Sequence, residues 1–254
     1  MNGIVVLSQR ELRRFFRQPT RLFGSLAQPL LFWFFMGSGF ARSFQSVSDE
    51  SSYSEFFYPG IILMLLLFAA VFSTITLIED RAAGFLQGVL VAPVSRLSMV
   101  LGKLLGGTAI ALIQATIFLL FAPLAGIELS VGGVVNLVFL FILVGVGFTG
   151  LGFIIAWTMD TVAGYHAVMS VVLIPLWLLS GALFPLEGSA VWLNWIMCFN
   201  PLTYAMTIIR SAFYEPVSIL ATREDFILAL GVTILWTACT VTGAVLVANR
   251  KTVS

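Results

Sequence analysis

Six long apolar runs dominate this chain, and they constrain its fold more than any other feature of the sequence. They lie at residues 22–40, 56–77, 99–125, 134–158, 164–184 and 226–248. Apart from Lys103, near the start of the third run, they contain no Asp, Glu, Lys or Arg. A helix needs about 20 apolar residues to cross a bilayer. Each run therefore predicts one membrane-spanning helix, six in all.

The composition supports a lipid bilayer as the surrounding medium. Hydrophobic residues make up 59% of the chain and charged residues only 10%, whereas soluble domains carry about 25% charged residues. We therefore expect an all-α polytopic membrane protein, with residues 1–254 forming a single transmembrane domain. The net charge of +1 indicates no nucleic-acid partner. Cys198 and Cys239 lie far apart and lack metal-ligand spacing, so neither a disulfide nor a zinc site is predicted.

The first 21 residues have the pattern of an amphipathic helix. Five arginines alternate with apolar residues that fall on one side of a helix, among them Leu7, Leu12, Phe15 and Phe16. Such a segment suits a helix lying in the headgroup layer, here an N-terminal interface helix at residues 1–21. The alternative is an ordinary basic flank of the first span with no further role.

The stretch between the second and third runs, residues 79–98, carries charges and a short apolar face. Glu79, Asp80 and Arg81 come first, and Pro93 ends the helical pattern. The apolar residues that share one helical face are Phe85, Leu86, Val89 and Leu90. We interpret this stretch as a short cytoplasmic helix on the membrane surface, which a soluble partner could grip and push.

Simpler interpretations of the same residues remain open. Glu79 and Asp80 could cap a helix N-terminus, and the apolar face could pack only on the bundle or on lipid. Lys103 could extend its ammonium to the headgroups. Asp160 is expected to be the N-cap of the fifth span rather than a second docking point.

Residues 186–215 are apolar, yet they do not form a simple span. Asn200 and Pro201 interrupt them, and Trp192, Trp195 and Tyr204 are of the types found at membrane interfaces. We predict two short external half-helices that enter the membrane and return. Asn200, Pro201 and Tyr204 are expected to shape this re-entrant turn.

The distribution of basic residues predicts the orientation. With six spans, both termini and residues 79–98 share one side, which holds ten of the thirteen basic residues. The positive-inside rule places that side in the cytoplasm. A seventh span would move Arg250 and Lys251 outside, which argues against it.

The sequence lacks the motifs of an enzyme. It contains no G-x-x-x-x-G-K-[ST] loop, no H-E-x-x-H and no Gly-x-Ser-x-Gly elbow. Gly145, Gly147 and Gly150 match a dinucleotide fingerprint in spacing only, since they lie inside an apolar run; there they are expected to let another helix pack closely. The spans also lack charges at membrane depth, which disfavours a gradient-driven carrier. We expect energy to enter through a partner.

Taken in order along nearly the whole chain, several motifs resemble the permease subunit of a type-2 ATP-binding cassette exporter. The matching residues are Glu79-Asp80-Arg81-Ala82-Ala83-Gly84, Leu90-Val91-Ala92-Pro93-Val94-Ser95-Arg96, Gly102-Lys103, Leu179-Ser180-Gly181, Phe184-Pro185, Asn200-Pro201-Leu202-Thr203-Tyr204 and Arg210. The resemblance implies that residues 79–98 dock on an ATPase subunit. It assigns ATPase coupling to Glu79, Asp80, Arg81, Phe85, Leu86, Leu90 and Arg96.

The resemblance also implies the partners and the setting. Two ATPase subunits, which hold ATP and Mg²⁺, would serve two permease copies, with a homodimer favoured over a heterodimer. This chain would bind no cofactor and catalyse no reaction. The expected cargo is a hydrophobic or amphiphilic drug, lipid or glycan-linked lipid, and the expected location is a bacterial inner membrane. Two alternatives are a stand-alone channel or carrier and a membrane anchor or assembly subunit that transports nothing.

Overall fold

The computed structural model describes residues 3–44, 53–91, 94–183 and 190–250 of the chain. Within these ranges all regular structure is helical and no strand occurs, which confirms the predicted all-α class. The α-helices are numbered in chain order: α1 Gly3–Phe16, α2 Pro19–Phe44, α3 Tyr53–Ser73, α4 Ile75–Ala82, α5 Phe85–Val91, α6 Arg96–Leu119, α7 Val131–Thr158, α8 Val162–Leu178, α9 Val191–Phe199, α10 Pro201–Tyr214, α11 Val217–Leu220 and α12 Glu224–Asn249.

In the described part of the chain, four helices are long and apolar enough to cross a membrane. They are Tyr53–Ala82, which joins α3 to α4, and then α6, α7 and α12. They correspond to the predicted spans at residues 56–77, 99–125, 134–158 and 226–248. These four predictions are therefore confirmed as apolar helices of sufficient length.

The other two predicted spans, residues 22–40 and 164–184, are helical but fall short of that criterion. In α2 the apolar portion covers Pro29–Gly39, and α8 has 17 residues. Both are shorter than the roughly 20 residues that a perpendicular crossing needs. The six-span count thus stays a prediction.

Capping side chains move several helix ends away from the predicted boundaries. The Ser130 hydroxyl accepts the Gly133 N–H at 3.0 Å, so α7 begins before residue 134. The Thr161 hydroxyl accepts the Gly164 N–H at 3.1 Å and caps α8. The prediction that Asp160 caps this helix is wrong, because a residue further along supplies the capping oxygen.

The helix α3 lies at the centre of the bundle. In Tyr53–Ala82, 78% of the most apolar stretch is buried, against 22% in α12. Tyr58, Phe57 and Leu63 are among its fully buried side chains. A helix that is apolar all round is suited to an interior position, while α12 leaves apolar side chains facing outward.

The glycines of α7 allow close helix packing, as predicted. A Cβ added to Gly150 would lie 3.0 Å from the Thr240 hydroxyl oxygen on α12. A Cβ on Gly152 would lie 3.0 Å from the Val71 carbonyl oxygen on α3. These glycines sit inside a helix, so they cannot form a nucleotide-binding loop.

Two short helices, α9 and α10, occupy most of the predicted re-entrant segment at residues 186–215; residues 184–189 lie outside the described ranges. Asn200 ends α9 and caps α10, accepting the Leu202 N–H at 2.9 Å. Its Nδ2 donates to the Leu176 and Leu179 carbonyls at 2.7 and 2.9 Å. These bonds tie the turn to the end of α8, but entry into the membrane stays a prediction.

The other two predicted turn residues also stabilise the junction locally. Pro201 occupies the first turn of α10, where its missing N–H costs nothing. The Tyr204 hydroxyl donates to the Cys198 carbonyl at 2.8 Å, which links α10 back to α9. All three residues therefore stabilise the junction between α9 and α10.

Candidate functional site

The predicted cytoplasmic segment, residues 79–98, is divided between two helices and the start of a third. Its first residues form the last turn of α4, Gly84 follows with φ +73°, and α5 begins at Phe85. Glycine suits this left-handed turn because it has no Cβ. The interpretation of Glu79 and Asp80 as N-terminal caps is wrong, because α4 continues past the apolar run until Gly84 stops it.

Asp80 lies in a buried group of charges beneath α1. Arg10 donates to its two carboxylate oxygens at 2.6 and 2.8 Å, and Lys103 donates at 2.8 Å. The side chains of Asp80 and Lys103 are 4% and 6% exposed. Lys103 therefore does not extend to the headgroups, and that interpretation is wrong.

Glu11 completes the inner part of this group from α1. Its carboxylate accepts the Lys103 ammonium at 2.6 Å and the Thr76 hydroxyl at 2.8 Å. The Thr76 oxygen in turn accepts a hydrogen bond from Lys103 at 3.0 Å. Buried charges are costly unless they are paired and hydrogen-bonded, and here each inner charge has at least two partners.

Arg14 closes the group at its outer edge. It donates to Glu79 at 2.5 Å and to Asp80 at 3.2 Å. We call the full set the charge cluster; its members are Arg10, Glu11, Arg14, Glu79, Asp80 and Lys103. The cluster holds three acidic and three basic groups, so its formal charge is zero. The hydrogen bond to Asp80 raises the pKa of Arg10 above its ordinary value.

Two glycines bring α1 close enough to α6 for these contacts. A Cβ added to Gly102 would lie 2.7 Å from the Leu7 Cβ, and one on Gly106 would lie 2.8 Å from the Glu11 Cβ. Larger side chains would push α1 away. The small-residue surface of α6 therefore lets Glu11 approach α6 at Gly106, one helical turn beyond Lys103, so that its carboxylate reaches the Lys103 ammonium.

The short helix α5 packs against the bundle with part of the predicted apolar face. Leu86 is buried, Val89 packs against the core, and Phe85 lies under the Arg10 guanidinium, 3.8 Å from its ring centroid. The side chain of Leu90 and residues 92–93 lie outside the described part. Val91 faces outward with 86% of its surface exposed, and Gln87 and Gly88 are exposed beside it.

The two remaining predicted coupling residues, Arg81 and Arg96, lie outside the charge cluster. Arg81 donates to the Trp157 and Met159 carbonyls at 2.7 and 3.1 Å, at the C-terminal end of α7. Arg96 donates to the Ala248 carbonyl at 2.7 Å, near the end of α12. Cations are favoured at helix C-termini, where carbonyls lack partners. The segment is thus attached to α1, α7 and α12.

Sequence analysis missed Glu11, although a signal was present. Glu11 is the sole acidic residue among the first 21 residues. It lies four residues from Leu7 and four from Phe15, which places it on the apolar side of the helix. An acidic residue on that side predicts a buried cationic partner, and Lys103 supplies one.

Comparison with known proteins identifies the family of this bundle. Residues 2–214 match the family described as ABC-2 type transporter. The chain belongs to the ABC-2 type transporter family. The predicted resemblance is therefore confirmed, and it covers α1 through α10.

Several named relatives support the assignment. The chain is 35% identical to the transport permease ycf38 of Cyanophora paradoxa over 211 residues, which cover 82% of this chain and 72% of that protein. It is 28% identical to Nodulation protein J of Neorhizobium galegae, covering 76% and 74%. It is 26% identical to YbhR of Escherichia coli (strain K12), named as a multidrug ABC transporter permease, covering 66% and 46%.

Membership in the ABC-2 family defines the general role of this protein. It is a multi-pass membrane permease subunit of a transporter. The family implies an ABC ATPase as partner, and that separate subunit hydrolyses the nucleotide. The charge cluster and the α4–α5 junction therefore lie in the permease subunit of such a transporter.

Proposed function

We propose that this protein is the membrane half of an ATP-driven exporter and that the segment from Glu79 to Arg96 receives force from the ATPase. In this proposal two permease copies and two ATPase subunits form the working unit. Six helices, including α2 and α8, cross the membrane, with both termini and α5 in the cytoplasm. The observation that carries the proposal is the charge cluster, because it joins α1, α4 and α6 directly beside α5.

The proposed coupling is a rigid-body movement. The ATPase would contact the exposed surface of α5 formed by Gln87, Gly88 and Val91. Movement of α5 would pass to α4 through the short turn at Gly84. Moving α4 without α1 and α6 would separate Asp80 from Arg10 and Lys103. Leaving a buried charge unpaired costs roughly 3–5 kcal/mol, so the three helices are expected to move together.

The roles of the predicted coupling residues follow from their positions. Asp80, 4% exposed, would act inside the permease as the residue that locks α4 to its neighbours. Glu79 is 39% exposed and paired with Arg14, so it could still face the partner. Arg81 and Arg96 would carry the same movement to α7 and α12.

The cargo we propose is a hydrophobic or amphiphilic molecule moved out of the cytoplasm. The name of the relative YbhR includes multidrug transport, which supports a small amphiphilic cargo for this protein. Apart from the charge cluster, most buried polar side chains in the described bundle are serine and threonine hydroxyls. Such an interior suits a cargo that needs little hydration.

The proposal predicts that a charge on the outer face of α5 blocks docking. In Val91→Glu we expect at least about tenfold less co-purified ATPase, because a carboxylate would be desolvated at the contact. ATP-dependent uptake into inverted vesicles should fall equally. Val131→Glu is the matched control, since Val131 is 83% exposed at the start of α7.

Two results would contradict the proposal. One is equal loss of ATPase from both variants. The other is transport by the chain alone, without nucleotide, which would indicate a channel or carrier. If the ATPase remained bound but its activity never responded to an added amphiphile, a membrane anchor would be the better description.

A further inference from the structure

A partly open cavity of about 420 Å³ lies between the helices of the described bundle, next to the charge cluster. Its walls come from α1, α2, α3, α4, α6 and α8 and are mostly apolar, including Met64, Phe68, Phe72 and Ile110. Pockets for drug-sized molecules typically measure about 300–1,000 Å³ and have mainly apolar linings. The cavity is therefore large enough for a small organic molecule.

One polar side chain in this lining lacks a partner. The Gln114 oxygen Oε1 is buried and accepts no hydrogen bond, and the residue is only 2% exposed. Buried acceptors in folded proteins are nearly always paired. On α6, Gln114 lies eleven residues beyond Lys103, roughly 16 Å along the helix axis, so the charge cluster cannot supply a donor to it.

The charged groups at the other end of the cavity are already occupied. Glu11, Arg14 and Glu79 contribute to the lining, but they pair with one another or with Lys103. They can therefore form a polar rim without demanding a charged ligand. Among the buried polar atoms of the described lining, Gln114 Oε1 is the one that lacks a partner, and it lies beside apolar and aromatic walls; His166 also lines the cavity but is exposed.

We infer that this cavity binds an amphiphilic small molecule whose hydroxyl, amide N–H or amine N–H donates to Gln114 Oε1. The apolar body of the molecule lies against Met64, Phe68 and Phe72. This inference rests on the proposed function, because it gives the cargo a binding place and a chemical requirement. The lipid acyl chain is the competing occupant, but it has no donor and would leave Gln114 unpaired.

The test uses two fluorescent probes that differ by one donor. N-phenyl-1-naphthylamine carries an N–H, and its N-methyl derivative does not. Binding is measured by fluorescence titration of the full-length permease with its ATPase in nanodiscs, without ATP, after subtracting empty nanodiscs. We expect the wild-type complex to bind the N–H probe about tenfold more tightly than the N-methyl probe. The N-methyl probe would leave the buried acceptor without a hydrogen bond, and such a loss typically costs about that much affinity.

The variant Gln114→Leu should bind both probes equally, because its side chain has no acceptor. Thr233→Val is the matched control, since the Thr233 hydroxyl bonds only to the Ala229 carbonyl within α12; this variant should keep the tenfold preference. If Gln114→Leu does not fold, Ala69→Phe provides a second test. Ala69 lines the cavity, and the larger ring should weaken binding of both probes at least about tenfold.

The inference is overturned if the wild-type protein binds both probes with equal affinity, or if Gln114→Leu keeps the preference. Equal affinities would mean that a water molecule or an acyl chain occupies the site. The proposed function is tested separately by ATP-dependent uptake into inverted vesicles. If uptake persists but the complex shows no preference between the probes, the inference about this cavity is wrong and the exporter proposal is unaffected.

Discussion

At the scale of single residues, Asp80 shows how context changes the role of a side chain. In the sequence it stands in a charged stretch between two apolar runs and resembles a surface residue. In the structure its carboxylate is buried and accepts hydrogen bonds from Arg10, Arg14 and Lys103. Its main role is therefore to neutralise cations inside the permease, since a direct contact with a partner would require it to leave them.

This position gives a stability prediction. Asp80→Asn should destabilise the protein by about 3–5 kcal/mol, because Lys103 would keep a buried charge without its full complement of partners. The measurement is thermal unfolding of the purified protein in detergent. Asp160→Asn is the control; Asp160 is 94% exposed, so a change within about 0.5 kcal/mol is expected.

A second substitution checks the cause. Adding Lys103→Met to Asp80→Asn removes the unpaired cation, so part of the lost stability should return, and the two effects should be non-additive by about 0.5–3 kcal/mol. Strictly additive losses would show that Asp80 and Lys103 act independently, contrary to the charge cluster.

At the scale of helices, the contact between α1 and α6 determines where the charge cluster forms. Gly102 and Gly106 on α6 leave room for Leu7 and Glu11 on α1. The amphipathic pattern predicts that α1 lies in the headgroup layer with its apolar face towards the membrane. The structure places part of that face on α6, because the glycines offer a groove that lipid cannot fill as well.

Widening this contact should impair coupling. Gly106→Val places new atoms where the Glu11 Cβ now lies, 2.8 Å from the site of a Cβ, and α1 must shift. We expect ATP-dependent transport to fall at least about tenfold, since misplacing a packed element by about 1 Å can cost that much. Binding of the ATPase should persist, because α5 keeps its exposed face.

Gly231→Val serves as the control for this prediction. Nothing lies within 4 Å of a Cβ at Gly231 on α12, so transport should remain near the wild-type rate. Normal transport by Gly106→Val would show that α1 does not need its close approach to α6.

At the scale of the whole molecule, the distribution of charge predicts how the bundle lies in the membrane. The positive-inside rule predicts that α5 lies in the cytoplasm and the α9–α10 pair outside. Cysteine labelling from the two sides of the membrane tests this orientation. Cys198 on α9 and Cys239 on α12 are both exposed on the surface of the bundle, although Cys239 lies in an apolar candidate span.

Labelling of intact cells with a membrane-impermeant maleimide should modify neither native cysteine, because Cys198 lies beside the predicted re-entrant turn and Cys239 in an apolar candidate span. A Val191→Cys variant, at the exposed start of α9, should react. With both cysteines replaced by serine, Gln87→Cys on α5 should react only after the cells are permeabilised. Mass spectrometry of the purified chain reports both results. Labelling of Gln87→Cys from the outside would show that α5 faces the exterior, where a cytoplasmic ATPase could not dock on it.

The long helices were predictable from sequence because continuous apolar character is a local property. The runs at 56–77, 99–125, 134–158 and 226–248 all became apolar helices of sufficient length. Helix ends were less predictable, since one hydroxyl can decide them, as Ser130 and Thr161 do. The glycines in α7 were also interpreted correctly, because small side chains in apolar helices have few other uses.

The pairing of charges depended on the fold. Arg10 and Asp80 are separated by 70 positions, and Glu11 and Lys103 by 92, so no local pattern could join them. The unpaired oxygen of Gln114 is likewise invisible in sequence, since it depends on which helices surround α6. Hydropathy reports how each segment meets an apolar medium, whereas the partners of buried polar groups are selected only when the helices pack.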